Sequence, residues 1–378
     1  MLAPMQRKYA FVRISKSFSV FFRQKLLKKY SKSKRKQMGQ VSAKICVNRQ
    51  GKRKETKIMG RVLVSASHFD TLCEEAWKLL EENGHEVIFD ASRSFPAYST
   101  EELIRILPDV DAAIIGMDVY DRRVFAHAPR LKCVCKFGVG VDNINLKDAS
   151  EYGVKACNCP GQNSNAVAEL TVGFIIGILR GILPLHKAME KSGWPRHIGE
   201  ELAGKTVGLL GFGAIARMVA KKLSVFDVTV KAYDLYPNEA AAKELGVAMV
   251  SQDEIIETCD VVSLHAPATE ENYHLFGEET FKRMRDGAFL VNAARGALVD
   301  LPALAAALES GKLAGAALDA FEEEPLPADS PILACENVIL TPHTGAESRQ
   351  AYQRVSMTAA QNVIDALAGR EPKFWVNR

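Results

Sequence analysis

Three polar side chains in the second half of the sequence could together transfer a proton: Arg295, Glu324 and His343. Each stands near the end of a predicted parallel strand, and ligands of open parallel sheets bind outside the carboxyl ends of the strands. An arginine can bind a carboxylate with two hydrogen bonds, and a histidine titrates near neutrality and can pass a proton. A nearby carboxylate favours the imidazolium and raises its pKa. Such a set could reduce a 2-keto acid with a nicotinamide cofactor.

The same three residues also have simpler explanations when each is taken alone. Arg295 and Glu324 could be surface ion-pair residues, and His343 could begin a helix. Their positions in the sequence do not decide between these roles and a shared crevice. The choice depends on the elements that position them.

A glycine-rich turn lies upstream, between a predicted strand and a predicted helix. Residues 207–210 form a short apolar run typical of a buried parallel strand, and residues 214–223 have helical periodicity. Gly211 allows a tight turn, Gly213 lets a pyrophosphate approach the backbone, and Ala216 lets helix and strand pack closely. The free N–H groups and the positive dipole end of the helix favour phosphates.

An acidic residue strengthens the prediction of a dinucleotide site, since a glycine fingerprint alone could be only a tight turn. Asp234 ends the next predicted strand, 21 residues after Gly213. A carboxylate there can accept hydrogen bonds from the adenosine ribose of NAD and would repel the 2′-phosphate of NADP. No Arg or Lys follows it in residues 235–238, which favours NAD as the cofactor.

Length and charge bound the class of protein. The 378 residues are enough for two domains, and 47% hydrophobic and 25% charged residues are ordinary for a globular chain. The net charge of +4 hides an asymmetry, because residues 1–60 hold 18 Lys and Arg against one acid, leaving 31 basic and 44 acidic residues in the remainder. We therefore expect an acidic folded body that does not bind nucleic acid. We also expect a cytoplasmic protein that binds no membrane.

The basic segment at residues 1–58 has three interpretations. It could be an arm that binds nucleic acid or acidic lipid, or a targeting segment, being rich in Lys, Arg and Ser and nearly free of acids. It could also be irrelevant to the fold, because residues 59–64 look like a natural first strand. We favour the last interpretation and expect a disordered extension.

The eight cysteines do not form a disulfide framework or a convincing metal site. Cys133 and Cys135 form one C-x-C pair, and Cys157 and Cys159 form another. This is not the usual zinc spacing, and the first pair lies in an apolar, strand-like run. We predict buried thiols in a reducing compartment and no bound metal.

Alternating strand and helix patterns predict an α/β fold with two doubly wound parallel-sheet domains. The predicted strands are 61–65, 86–89, 112–116, 132–136, 207–210, 228–234, 260–265, 288–292, 314–319 and 338–341. The predicted helices include 69–83, 100–107 with Ser99 as N-cap, 302–310, and a closing helix at 348–367 that can return to the first domain. The predicted domains are a flavodoxin-like substrate domain (59–160 and 344–378) and a Rossmann NAD-binding domain (161–343).

Residues 165–189 predict one long apolar helix between the two sets of strands. Gly173, Gly177 and Gly181 recur at four-residue spacing, as in some membrane helices. Glu169 and Arg180 limit the uninterrupted apolar run to about ten residues, which is too short to span a bilayer. We therefore predict a helix that is buried or packed against a second subunit.

Together these motifs resemble those of the D-isomer-specific 2-hydroxyacid dehydrogenases, and within them the phosphoglycerate dehydrogenase-like group, over about residues 60–378. The matching motifs are the substrate loop at 138–143, the cofactor loop at 261–267, the arginine motif at 292–295, the Asp–Glu segment at 318–325 and the histidine motif at 341–345. One departure is Ala214, where many members carry an arginine near the pyrophosphate. Phosphate contact here would then rely more on the backbone.

The resemblance implies a homodimeric, two-domain, NAD-dependent enzyme that interconverts a small D-2-hydroxy acid and its 2-keto acid. His343 would be the acid/base, Glu324 its partner and Arg295 the substrate anchor, with Asp319 near the nicotinamide. The other implied cofactor contacts are Gly211, Gly213, Ala214, Ile215, Asp234, His265, Ala266, Pro267, Ala293 and Gly345. The candidate substrate contacts are Lys136, Val139, Gly140 and Asn163.

Lys136 bears on which acid is the substrate. It directly precedes the substrate loop, where phosphoglycerate-oxidising relatives tend to carry an arginine, and a cation there could hold a phosphate. The leading candidate is therefore 3-phosphoglycerate, with a place in serine biosynthesis, and glyoxylate or hydroxypyruvate comes next. A lysine is a point charge rather than a bidentate fork, and Lys136 could equally be a solvated residue at a strand end.

Two rival activities belong to the same superfamily. Formate dehydrogenases place a glutamine where Glu324 stands, which argues against that activity. NAD(H)-sensing corepressors keep the fold and the three polar residues, so the motifs alone do not exclude a sensor. Turnover of NADH with a panel of 2-keto acids would separate an enzyme from a sensor.

Overall fold

The computed structural model describes residues 59–93 and 97–378. The predictions for residues 1–58, including disorder and any binding of nucleic acid, lie outside the described residues. The described chain is an α/β structure with two parallel sheets, and the predicted fold class is confirmed.

The first sheet has five strands, each parallel to its neighbours. Its strands are β1 (Gly60–Val64), β2 (His85–Ile88), β3 (Ala112–Ile115), β4 (Cys133–Lys136) and β5 (Lys155–Cys157). The order β2-β1-β3-β4-β5 is that of flavodoxin-like sheets. Strand β5 is not predicted by the sequence pattern, because its three residues are too few to show a strand period.

Helices cover both faces of this sheet. They are α1 (Phe69–Leu72), α2 (Glu74–Glu82), α3 (Thr100–Ile106), α4 (Arg122–Ala126) and α5 (Leu146–Glu151). The single helix predicted at 69–83 is wrong, because Cys73 has non-helical dihedral angles and divides it. Ser99 is the N-cap of α3 and forms a reciprocal capping box with Glu102, as predicted.

The second sheet has seven parallel strands in the order β12-β11-β10-β9-β6-β7-β8. They are β6 (Thr206–Leu210), β7 (Thr229–Tyr233), β8 (Ala248–Met249), β9 (Val261–Leu264), β10 (Ala288–Asn292), β11 (Leu313–Leu318) and β12 (Val338–Leu340). The strand order reverses at β6, which lies between β9 and β7. This is the Rossmann order with one extra strand, and the reversal creates the crevice where dinucleotides bind.

Helices also cover both faces of the second sheet. They are α6 (Ser164–Leu179), α7 (Ile182–Glu190), α8 (Ala214–Leu223), α9 (Glu239–Leu245), α10 (Gln252–Thr258), α11 (Glu278–Arg283) and α12 (Leu301–Glu309). Short 3₁₀ turns lie at Leu107–Asp109, Gly296–Leu298 and Pro331–Ala334.

The long helix predicted at 165–189 is in fact two helices, α6 and α7, bent by 67°. Gly181 has a left-handed conformation (φ 57°), which ends α6 and turns the chain. Helix α6 is buried, with Phe174, Ile175 and Ile178 in a core of the second sheet. Across the described residues no single helix is long and apolar enough to cross a membrane, and only the bent pair taken together reaches the required length and composition.

The chain returns to the first sheet through its last helix, α13 (Arg349–Leu367). Tyr352, Val355 and Val363 of this helix share a core with Val62 and Ile114 of the first sheet. Four cysteines, Cys133, Cys135, Cys157 and Cys159, are fully buried in the same core, as predicted. Among the residues that the structure describes, no group of His, Cys, Asp and Glu side chains could hold a metal.

Candidate active site

His343 and Glu324 form a close pair in the described structure. Nδ1 of His343 lies 3.0 Å from both carboxylate oxygens of Glu324. The hydrogen bond to Glu324 raises the pKa of His343 above its ordinary value, against the opposing effect of burial. Burial alone would raise the pKa of Glu324, but the bonds from His343 and from the Phe321 N–H lower it. The pair therefore favours an imidazolium beside a carboxylate.

Asp319 holds the turn that carries His343. This carboxylate is 2% exposed and accepts hydrogen bonds from Thr341 Oγ1 (2.5 Å), the Thr344 N–H (2.7 Å) and the Gly345 N–H (2.7 Å). His343 itself has φ 53°, which is costly for a residue with a side chain. Bonds on both sides of His343 stabilise that conformation, and this role of Asp319 does not follow from the sequence motifs.

Arg295 follows β10 and is held by the last residue of that strand. Asn292 is fully buried, and its side chain accepts from the Ala294 N–H (3.0 Å) and donates to the Arg295 carbonyl (2.8 Å). Gly296 comes next, and a Cβ added there would lie 1.9 Å from the Phe321 carbonyl carbon. The backbone that leads to Glu324 therefore packs directly on Gly296, which brings the arginine and glutamate segments together.

The guanidinium of Arg295 reaches across to the substrate loop of the first sheet. Nε and Nη2 each lie 3.1 Å from Oδ2 of Asp142. A Cβ added to Gly140 would lie 1.9 Å from Nη2, so the guanidinium rests against the backbone of Gly140. The predicted anchor and the predicted carboxylate loop are thus in contact through Asp142, for which the sequence motifs predict no role.

Lys136 and Asn143 tie the substrate loop to the segment after β3. Nζ of Lys136 donates to the Gly116 carbonyl at 2.5 Å, and Asn143 donates to the carbonyls of Gly116 (3.2 Å) and Asp118 (2.5 Å). Burial lowers the pKa of Lys136 to about 8. Its ammonium form therefore still predominates at neutral pH, but it is poorly solvated.

The glycine turn has the features that a dinucleotide requires. Gly211 has φ 92°, and a Cβ added there would lie 2.7 Å from the His265 carbonyl carbon, so only glycine fits. A Cβ at Gly213 would meet nothing within 4 Å, which leaves open space beside the turn. No side chain caps the N-terminus of α8, and its N–H groups at Ala214 and Ile215 can face phosphates.

Asp234 lies beside this turn and contacts it. Its carboxylate accepts from the Phe212 N–H (2.7 Å) and the Tyr236 N–H (2.8 Å). These bonds use one lone pair of each oxygen, which leaves acceptor capacity for ribose hydroxyls. The donors, the open space and the carboxylate fit NAD.

The loop after β9 packs directly against the glycine turn. The His265 N–H donates to the Leu210 carbonyl at 2.6 Å, and its Nε2 lies 2.9 Å from Ser263 Oγ. Burial lowers the pKa of His265 to about 4, so the ring stays neutral. Ala266 and Pro267 extend this loop, and the Pro267 carbonyl accepts from Asn272.

The remaining candidates lie around the same crevice. Ala293 follows β10 within the turn that precedes Arg295, and a Cβ on Gly345 would lie 2.9 Å from Asp319 Oδ2. Val139 is 37% exposed, and its carbonyl accepts from Asn158. Asn163 precedes α6, and its buried side-chain oxygen has no hydrogen-bond partner among the described residues.

The fold and the site define a two-sheet α/β protein with a dinucleotide cradle and a His–Glu–Arg crevice. Residues 172–345 match the family model described as D-isomer specific 2-hydroxyacid dehydrogenase, NAD binding domain. A glyoxylate reductase from Thermofilum pendens is 38% identical over 301 residues, covering 78% of this chain and 88% of the relative. The chain belongs to the D-isomer-specific 2-hydroxyacid dehydrogenase family, as predicted, and is an NAD-dependent enzyme of that family.

Two further relatives extend the comparison. A D-3-phosphoglycerate dehydrogenase from Archaeoglobus fulgidus is 35% identical over 311 residues, covering 82% of this chain. The match spans only 58% of that relative's length. A crystal structure of a protein from Thermus thermophilus superimposes with a TM-score of 0.76 at 34% identity, covering 84% of this chain and 99% of the other. The Thermofilum and Archaeoglobus relatives are therefore named for two different substrates.

Proposed function

We propose that this enzyme interconverts a small, anionic 2-keto acid and its D-2-hydroxy acid, with 3-phosphohydroxypyruvate and 3-phosphoglycerate as the leading pair. Arg295 and the N–H groups of Val139 and Gly140 would hold the carboxylate. Reduced nicotinamide, when bound, supplies the hydride to the carbonyl carbon. On this proposal the enzyme acts in the cytoplasm, in serine biosynthesis.

The proton would come from His343. Its Nδ1 faces Glu324 at 3.0 Å, so Nε2 is the ring nitrogen left to face the substrate. Protonated His343 would donate from Nε2 to the carbonyl oxygen as the hydride arrives, and the reverse reaction would begin from neutral His343. Glu324 would stabilise the imidazolium throughout.

The observation that carries the phosphate assignment is the environment of Lys136. Its ammonium is partly buried and bonded to a neutral carbonyl, that of Gly116, and no carboxylate of the described residues lies within salt-bridge distance of it. It also lies close enough to Asp118, Asp142, Arg295 and Glu324 to be affected by their charges. A poorly solvated cation at the edge of the crevice supports binding of a second anionic group on the substrate.

A second candidate, reduction of glyoxylate or hydroxypyruvate, is favoured by the residues next to Lys136. Met117 and Val119 are 42% and 54% exposed and flank the buried Asp118 on the segment bonded to Lys136 and Asn143. An apolar edge gives no further donors to a phosphate and suits a smaller acid. The name of the Thermofilum relative agrees with this alternative.

The proposal is tested by measuring kcat/KM for NADH-dependent reduction of 3-phosphohydroxypyruvate, hydroxypyruvate and glyoxylate. We expect the phosphorylated acid to have the highest value. A higher value for glyoxylate or hydroxypyruvate would put the second candidate first.

We also propose that the enzyme is a homodimer and that α7 contributes to the interface. Helix α7 buries none of its residues, and Ile182 and Met189 are 53% and 50% exposed. In the segment that follows, Trp194 is 76% and Ile198 is 95% exposed. Exposed apolar residues concentrated in one stretch are typical of protein interfaces. Light scattering on the purified protein should give twice the chain mass.

The proposed division of the chain follows the two sheets: residues 59–160 with 344–378 as the substrate domain, and 161–343 as the NAD-binding domain. The packing of α13 on the first sheet and of α6 on the second supports these boundaries.

A further inference from the structure

We propose that Asp142 is the positioning residue for Arg295, fixing the guanidinium so that its two outermost N–H groups face the substrate. The proposal rests on the proposed role of Arg295 as the carboxylate anchor. It assigns a function to a contact between loops that belong to different sheets.

The first support is the hydrogen-bond inventory of Arg295. A guanidinium has five N–H groups. Asp142 Oδ2 faces Nε and Nη2, each at 3.1 Å, and the Ala294 carbonyl accepts from Nη1 at 2.8 Å. Hydrogen bonds from Nε and Nη1 and the ion-pair contact at Nη2 hold the guanidinium from the protein side. On this proposal, the N–H groups of Nη1 and Nη2 that have no protein acceptor among the described residues form the end-on fork that matches a carboxylate.

The second support is the packing of this contact on Gly140. A Cβ at Gly140 would lie 1.9 Å from Arg295 Nη2 and 2.7 Å from Asp142 Oδ2, so both charged groups lie over the bare backbone of Gly140. Asn143, the neighbour of Asp142, is bonded to two carbonyls after β3. The carboxylate is therefore presented from a loop that is itself held in place.

Long side chains lose rotamer entropy when they are fixed at a binding site. An arginine that is already held by the Ala294 carbonyl and by Asp142 has lost much of that freedom before the substrate arrives. Asp142 would thus lower the cost of binding the substrate carboxylate, although its own negative charge repels that carboxylate.

Because the negative charge of Asp142 also repels an anionic substrate, the direction in which KM changes when Asp142 is removed tests the proposal. Asp142 acts electrostatically on both Lys136 and Arg295. If it did no more than neutralise these cations, then removing it would strengthen binding of an anionic keto acid and lower KM. If Asp142 positions Arg295, removing it should raise KM.

We expect Asp142→Ala to raise KM for the best keto acid about tenfold or more, to lower kcat, and to leave KM for NADH within about twofold. Asp142→Asn keeps an oxygen acceptor for Arg295 and should recover most of the lost kcat/KM. The matched control is Asp286→Ala, which removes an exposed aspartate from an ion pair with Lys312 and should change neither KM.

A double-mutant cycle tests whether Asp142 acts through Arg295. In an Arg295→Ala background, Asp142→Ala should change keto-acid kcat/KM by less than about twofold. A full further loss in that background, or a fall in KM for Asp142→Ala alone, would overturn the proposal. If Arg295→Ala by itself left keto-acid KM unchanged, the anchor role of Arg295 would be wrong. If Arg295→Ala raised keto-acid KM and Asp142→Ala did not, only the role of Asp142 would be rejected.

Discussion

Both carboxylate oxygens of Glu324 lie 3.0 Å from Nδ1 of His343. The Glu324 carboxylate also accepts a hydrogen bond from the Phe321 N–H at 3.0 Å, which fixes the carboxyl group against its own turn. The orientation of the imidazole is thereby set by two segments that come from the ends of adjacent strands, β11 and β12.

Glu324→Gln should move the pH dependence of keto-acid reduction. Glu324 raises the pKa of His343, and reduction needs protonated His343, so activity is lost as the pH rises through that raised pKa. Without the carboxylate charge the pKa falls, and the alkaline limb of kcat/KM should shift to lower pH. Glu323→Gln, at the neighbouring exposed position, is the control. An alkaline limb that stays in place would leave Glu324 with a structural role only.

Asp234→Ser should weaken NADH binding and relax discrimination against NADPH. Lost hydrogen bonds to the charged carboxylate would cost roughly 1.5–3 kcal/mol each, and the repulsion of a 2′-phosphate would disappear. The measurement is the NADH/NADPH ratio of kcat/KM, which should fall. Asp253→Ser, an exposed aspartate paired with Arg283, should leave the ratio unchanged. If Asp234→Ser also left it unchanged, the carboxylate would serve the Phe212 and Tyr236 N–H groups alone.

Lys136→Met, which keeps most of the side-chain length but removes the charge, should discriminate between substrates. We expect KM for 3-phosphohydroxypyruvate to rise about tenfold or more, through loss of roughly 1.5–3 kcal/mol of charged hydrogen bonding. KM for hydroxypyruvate should barely change. Lys312→Met is the control, since Lys312 pairs with Asp286 at the surface. Equal effects on both substrates would mean that the bond to Gly116 supports the loop, and would favour the glyoxylate or hydroxypyruvate assignment.

Gly296→Ala should disturb the site through packing alone. The added methyl would overlap the backbone at Phe321 and Glu322, so the segment bearing Glu324 must shift. Overpacking typically costs about 1–3 kcal/mol, and we expect a lower unfolding free energy in urea together with at least a roughly tenfold loss of kcat/KM. Gly173→Ala on α6 is the matched control, because its Cβ meets nothing within 4 Å. It should be neutral or stabilising by about 0.5–1 kcal/mol, and similar behaviour of the two variants would contradict this account.

Local patterns in the sequence determined much of this structure. The buried strand, the glycine turn and the helix around Gly211 are formed by residues that are adjacent in the chain. Their hydrophobic period and dihedral preferences are local properties, so the sequence alone predicts these elements. The capping box at Ser99 and the other long apolar strands are likewise predicted from local sequence. Family motifs then indicated Arg295, Glu324 and His343 as candidates, each within a short recognisable segment.

Only the tertiary structure decided how those segments meet. Asp142 and Arg295 are 153 residues apart, and their contact depends on loops from two sheets approaching across the crevice. The buried bonds of Asp319 to the turn around His343 and the packing of Phe321 on Gly296 are likewise distant in sequence. Periodicity reports which face of an element is apolar, but not which distant backbone fills the space beside it. The close packing of the described residues fixes that choice.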